Sequence, residues 1–521
     1  MNFDGEIKLP VYLDYIHDSD NFVYRINGIP RKNIEYIFSL DKFKSFLNHN
    51  VKFECDRYSI LYSSMFNTES EINHFRDPIK GEPFYYPINM SWFVEQNIDI
   101  IIEHLTISEY VLQQLLINRC KIVIYSSWES PTRNTFMYFI ESIIKKYSSI
   151  QKNNFVVLTN NLELLYDDEN QLVYDSSREF KNTNRVDGVL FVCHNFFMTV
   201  GYKNWQRVNY DSEEFTNKLN KSIKRIKKKI SKPYKFICLH RRLRSVRWFA
   251  ALFLYPDKNQ GLLSFTLDLD TNPVPSEYNT FNELIINDYR KQVQKMIQSS
   301  NSNDVKDSMD QFEIWSQKYL STVSPKNDIR RSELDNIFED VYNRFYNSNF
   351  IKDMPLLIND LVDPRSNPVS DMSFDKYFDS YLHIVSETEV DSGFEKNRSK
   401  CKYWLTEKIF KPIWFMQPFV LICWPGALAY LKHLGFKTFN KYIDESYDLE
   451  LDHHRRIVLA LHSAKKFYDR PHEQILADYN DMLDILNYNR NLLLKLANQL
   501  NNDIKTDLMN ALSDCIWNFN N

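Results

Sequence analysis

The stretch from residue 401 to 439, CKYWLTEKIFKPIWFMQPFVLICWPGALAYLKHLGFKTF, constrains the fold more than any other part of the chain. Thr406 is a helix-capping residue type, so Glu407 and Lys408 fall in the first turn of the helix that follows. A helix start presents free N–H groups and a positive dipole end, which together favour phosphate. Lys408 adds a point charge there, and Glu407 can accept hydrogen bonds from sugar hydroxyls. The apolar run Phe419 to Cys423, bounded by Pro418 and Pro425, reads as a buried strand. Pro425-Gly426 then turns the chain into a second helix, ALAYLKHLGF. Helix, strand, turn, helix is the unit of an open parallel sheet, whose ligands sit at the carboxyl ends of the strands.

The same alternation recurs earlier. SEYVLQQLLINR reads as a helix and KIVIYSS (121–127) as a strand; TFMYFIESIIKKY is an amphipathic helix, followed by NFVVLTNN (154–161) and later by DGVLFVCHNFF (187–197). Apolar strands alternating with helices imply a parallel sheet covered on both faces, hence an α/β domain over residues 1–210. Residues 211–234 are strongly charged, with apolar residues three and four apart (Phe215, Leu219, Ile223, Ile226, Ile230), and read as a helical connector ended by Pro233. Its Lys/Arg cluster at 221–229 is ordinarily a solvated helix face; the functional alternative is a patch for an anionic partner. A second α/β domain spans 235–490, and residues 491–521 form a helix long enough to cross back to the first domain. Residues 273 to about 350 read as a peripheral, polar, helical insertion.

The second domain opens with the strand KFICLH (235–240), then HRRLRSVR, then the helix WFAALFLY. A strand, basic turn, helix junction suits a pyrophosphate without a Gly-rich loop. Arginines at 241, 242, 244 and 247 are too many for one phosphate pair, so some of them must be structural. LHIVSETEVD places Ser386 and Glu387 at the carboxyl end of another strand, where a ligand would be met; a cap or loop carboxylate is the plain alternative for Glu387. Asp268 and Asp270 form a DxD pair of the kind that holds a metal under a diphosphate, but an alternating strand with acidic outward residues is the stronger account, and with basic residues already present no metal is expected. His453-His454 has no ligand partner in register and is expected at the surface.

Thr406-Glu407-Lys408 matches the TEK motif in the donor domain of the α1,3-fucosyltransferases. The longer run TEKIFKPI, QPFVLI, PGALAYLKHLGFKTF, IDESYD resembles glycosyltransferases of phages, large DNA viruses and bacteria, across roughly the second half of the chain. That group carries an Asn-Arg-Arg-x-Arg-x-His-Arg pattern where this chain has His240 and Val246 in place of the Asn and the His. The resemblance implies a GT-B-like architecture of two Rossmann-type domains facing across a cleft. It implies Arg247 and Lys408 on the leaving diphosphate with Arg242 beside them, Glu407 on the ribose hydroxyls, and Trp404 as the aromatic packing on the nucleotide. The acceptor base would come from the first domain. Glu129, directly after a strand in SSWESPTRN, is the candidate, although a helix-start cap explains it as well; Glu103 is in reserve. Transfer would then invert the anomeric centre, from a nucleoside diphosphate sugar to a glycan or glycoprotein hydroxyl, with no further cofactor.

Charge weighs against a general nucleic-acid binder: the formal net charge is −4, with 25% charged and 43% hydrophobic residues. Two alternatives stay open, a transferase acting on modified bases of viral DNA and a non-catalytic polyanion-binding protein using residues 221–247. The seven dispersed cysteines suggest reduced core thiols and a cytoplasmic setting. MNFDGEIKLP lacks the apolar core of a signal peptide, and no run approaches the roughly 18 apolar residues of a membrane span.

Overall fold

The computed structural model describes residues 9–10, 15–18, 23–26, 29–30, 75–76, 78–89, 98–99, 102, 105, 107–125, 131–162, 183–195, 198, 213–240, 244–265, 303–322, 329–354, 356, 375–387 and 403–517. The chain divides into two units, the first made of residues 1–199, 395–404 and 496–521, the second of 200–394 and 405–495. Both are α/β with parallel strands. Among the described residues no helix is long and apolar enough to cross a membrane.

The first unit holds a sheet of β1 (Phe84–Asn89), β2 (Cys120–Tyr125), β3 (Phe155–Thr159), β4 (Thr183–Val186) and β5 (Val189–Cys193), in the order β1-β2-β3-β5-β4. All neighbours are parallel except β4, which runs antiparallel to β5. β2 and β3 are buried at every position, as a strand covered on both faces must be. The connecting helices are α1 (Glu109–Leu116) and α2 (Arg133–Lys146). Ser108 and Thr132 cap them, each hydroxyl accepting from a peptide N–H three residues on. α2 buries Phe136, Phe139, Ile140 and Ile143, one face at helical spacing. The β4–β5 hairpin was not expected. Asp187 and Gly188 both have positive φ (54° and 85°), the turn that an Asp-Gly pair favours between antiparallel strands.

In the second unit the elements run α3 (Glu213–Lys227), β6 (Tyr234–His240), α4 (Ser245–Leu254), β7 (Gly261–Phe265), α5 (Asn303–Thr322), α6 (Ile329–Asn347), β8 (Ser380–Ser386), α7 (Glu407–Trp414), β9 (Phe419–Ile422), α8 (Ala427–His433) and α9 (His453–Tyr468). α10 (His472–Trp517) supplies residues up to 495 to this unit and the remainder to the first. The sheet order is β7-β6-β8-β9, parallel throughout. Side chains alternate across it. Phe236 meets Tyr468 of α9 at 4.8 Å, and Phe265 meets Trp248 of α4 at 4.8 Å, so α4 and α9 cover the face that carries Phe236, Cys238 and His240. The opposite face carries Tyr381 and His383. Tyr381 meets Tyr479 of α10, and α3 lays Phe215 against Trp414 and Phe415 at the end of α7. A helix layer thus lies on each side of the sheet.

Three expectations change. α3, read as a connector, packs within the second unit, burying Phe215, Leu219 and Ile226. α5 and α6, read as a peripheral insertion, cover α4: Trp248 and Phe249 contact Phe312, Trp315, Phe338 and Phe345, and the Trp248 indole N–H donates to Ser308 Oγ at 2.7 Å. Widely spaced aromatics in an otherwise polar run carry that contact, which is why the pattern looked exposed. His454 is buried, not at the surface, with its ring 4.3 Å from Trp315 and 3.7 Å from His453. Cys120, Cys193, Cys238 and Cys423 are buried.

Candidate functional site

The strand order of the second unit fixes where a ligand would be held. β6 leads through α4 to β7 on one side, while β8 lies on the other side of β6. The direction of winding therefore reverses between β6 and β8, and in open α/β sheets the crevice at that switch point, outside the carboxyl ends, is the binding position. β6 ends at His240 and β8 at Ser386. Cys238 pairs with Ile384, so His240 and Ser386 stand beside each other on one face and Glu387 turns to the other. α4 follows β6 and α7 precedes β9. Both helices therefore start at this edge, one on each side of the sheet, with the positive ends of their dipoles toward it.

Thr406, Glu407 and Lys408 are drawn together by Glu387. Glu387 is fully buried, and its peptide N–H donates to Ile422 O at 3.0 Å, prolonging the β8–β9 ladder. Its Oε1 accepts the Thr406 peptide N–H at 3.0 Å and its Oε2 the Thr406 hydroxyl at 2.6 Å. Thr406 in turn caps α7: its Oγ1 accepts from the Lys408 peptide N–H at 3.4 Å and from Lys408 Nζ at 2.9 Å. Lys408 Nζ also lies 3.3 Å from Glu407 Oε1 and 4.0 Å from Glu387 Oε2. Burial pushes the Glu387 carboxyl above its ordinary pKa, against the pull of Lys408 and Thr406. At Glu407 burial also opposes charge, but Lys408 and hydrogen bonding hold the group below its ordinary value. Lys408 keeps 32% of its side chain exposed, so one ammonium between two carboxylates still has an open side.

Arg247 lies in the first turn of α4, 4% exposed, beneath Arg244, whose carbonyl accepts its peptide N–H at 2.8 Å. Its charge is felt at His240 and Cys238, whose Nε2 and Sγ are 3.4 Å apart. Burial, and then Arg247, hold His240 down to about 3, so this ring is neutral. Ser386 is buried and its hydroxyl has no partner among the described residues. Trp404 is buried in the first unit, next to Tyr403, whose peptide N–H donates to Asn161 Oδ1 at 3.0 Å. Arg242, Glu129, Glu103, Asp268 and Asp270 lie outside the described residues. No group of three His, Cys, Asp or Glu side chains among the described residues could hold a metal ion.

Three buried polar groups escaped the sequence reading, two in the second unit and one in the first. His240 entered it only as a replacement in a motif, yet it ends the central strand at the switch point. Arg456, fully buried on α9, donates to Cys423 O at 2.7 Å and Glu450 O at 2.7 Å and so pins the loop after β9. His194, at the end of β5, pairs with Asp507. A polar residue directly after an apolar strand was the signal in the cases of His240 and His194. No family model matches the chain, and no curated protein or solved structure is similar to it.

Proposed function

We propose that the chain is a nucleotide-sugar-dependent glycosyltransferase that holds its donor at the switch point of the second unit. One observation carries this reading: two helix starts bearing Arg247 and Lys408 flank the edge where Ser386 and Glu387 end β8. Glycosyl transfer requires that the departing diphosphate be stabilised, and cations at the positive ends of helix dipoles supply this at a fixed position. Glu387 sets the Thr406 hydroxyl and peptide, and Thr406 sets Lys408, so the ammonium is preorganised rather than recruited. Glu407, ionised and partly exposed, is suited to accept two ribose hydroxyls. The reading includes metal-independent, inverting transfer to a glycan hydroxyl and the GT-B arrangement expected from the sequence.

Thermal unfolding against UDP-, GDP-, CMP- and dTDP-sugars tests it. A bound donor at a hundred times its Kd stabilises by about 2.7 kcal/mol. One nucleotide class is expected to raise the Tm, and Lys408→Ala to abolish that rise and to slow transfer by roughly two to three orders of magnitude. A protein indifferent to all four classes, or a rise that survives Lys408→Ala, overturns the reading.

A further inference from the structure

The carboxyl edge of the first unit's sheet carries buried polar groups that the donor site does not use. β3 ends at Thr159 and β5 at Cys193, and the His194 peptide N–H donates to Thr159 O at 3.0 Å, extending the ladder one step. His194 and Asn195 thus follow an inner strand at the edge where α/β sheets hold ligands. His194 is 3% exposed, and its Nε2 lies 2.9 Å from Oδ2 of Asp507 on α10, whose side chain is 26% exposed. A carboxylate there accepts from Nε2–H, which fixes the tautomer and leaves the lone pair on Nδ1. Nδ1 has no hydrogen bond among the described residues. Asp503, one turn earlier on α10, interacts with the same pair; burial raises its carboxyl pKa while His194 opposes the rise.

Asn195 is 4% exposed, and neither its amide nitrogen nor its amide oxygen has a partner among the described residues. A buried carboxamide with both ends unmade is costly and rare. The neighbouring strand extension shows the contrast: Asn161 donates to Pro131 O at 3.2 Å and accepts from the Tyr403 peptide N–H.

We propose that this edge is a saccharide site, in which the Asn195 carboxamide donates to and accepts from one hydroxyl while Nδ1 of His194 accepts from an adjacent one. Asp507, which holds the ring through Nε2, is a positioning residue.

The test measures saccharide binding without any nucleotide, on the full chain, using an array of oligosaccharides ending in galactose, glucose, mannose, fucose or N-acetylglucosamine. At least one is expected to bind, and Asn195→Ala to weaken it by about tenfold or more. His194→Ala is expected to weaken the same saccharide by a similar factor, Asp507→Asn to weaken it less, and Asp507→Glu to recover part. No saccharide bound, or one held equally by Asn195→Ala, overturns the site even if nucleotide sugars stabilise the protein. Saccharide binding that depends on Asn195, in a protein that no nucleotide sugar stabilises, supports the site and removes only the transferase reading.

Discussion

His240 and His383 are both fully buried in neighbouring strands, and burial, helped by Arg247 at one ring and Lys411 at the other, holds each pKa down to about 3 from the ordinary 6.5. Between those values the unfolded chain binds protons that the folded chain refuses. Their contribution to stability is therefore complete above pH 6.5 and is lost as the pH falls through the window, by at most about 1.4 kcal/mol per ring per pH unit. Asp448 acts the other way. Burial raises its carboxyl to about 6, so from pH 6 down to 3.8 the folded chain gains a proton first and offsets part of one ring's loss. The Tm is expected to fall between pH 6.5 and 4.5, and His383→Gln to flatten that fall. An unchanged slope in the variant would mean that the ring is protonated in the fold. At this scale the site was only half legible. Thr406, Glu407 and Lys408 are adjacent and capping grammar places them; the bond from Thr406 to Glu387 is a tertiary contact that no local periodicity encodes.

Elements differ in how openly the sequence announces them. β2, β3 and β9 are short, unbroken apolar runs because both of their faces are covered, and such runs can be read directly. β4 is half-exposed and polar (Thr183–Val186); only the Asp187-Gly188 turn betrays it. α5 and α6 hide their role because aromatic side chains, a few per helix, make most of the contact with α4. At the sheet edge, β7 begins with Gly261 for a steric reason. A Cβ there would lie 2.5 Å from the ring of Phe236, which is itself fully buried against Tyr468. With no room for the ring to retreat, Gly261→Ala is expected to cost about 1–3 kcal/mol. Chemical denaturation measures this as a lower midpoint at an unchanged slope; a neutral substitution would show that the ring can shift. α3 divides its charges. Lys218 and Arg225 pair with Asp375 and Asp379, while Lys221, Lys224 and Lys227 are exposed, a pattern that a solvated helix face accounts for.

For the whole molecule, sequence alternation located two α/β units but not their membership. The 46-residue α10 keeps one helical period across residues 495 and 496, although its two parts belong to different units. Nothing in the period marks that change, because a helix can present an apolar stripe to successive neighbours without a break. Its distal part places Leu500, Ile504, Leu508 and Leu512 in the first unit's core beside Tyr85, Val123 and Leu158, and the Tyr85 hydroxyl donates to Leu508 O at 2.7 Å. Ending the chain after Lys495 is therefore expected to unfold the first unit while the second retains its structure. Limited proteolysis checks this: rapid loss of fragments from residues 84–195 alone fits, and equal resistance of both units does not. The same arrangement sets a schedule for biosynthesis. The sheet of residues 84–193 must wait for Leu500 to Leu512, translated much later, before its apolar wall can close. At about 5–20 residues per second the interval from Cys193 to Leu500 lasts on the order of tens of seconds. During that interval, nascent chains expose β2 and β3 to chaperones and to one another.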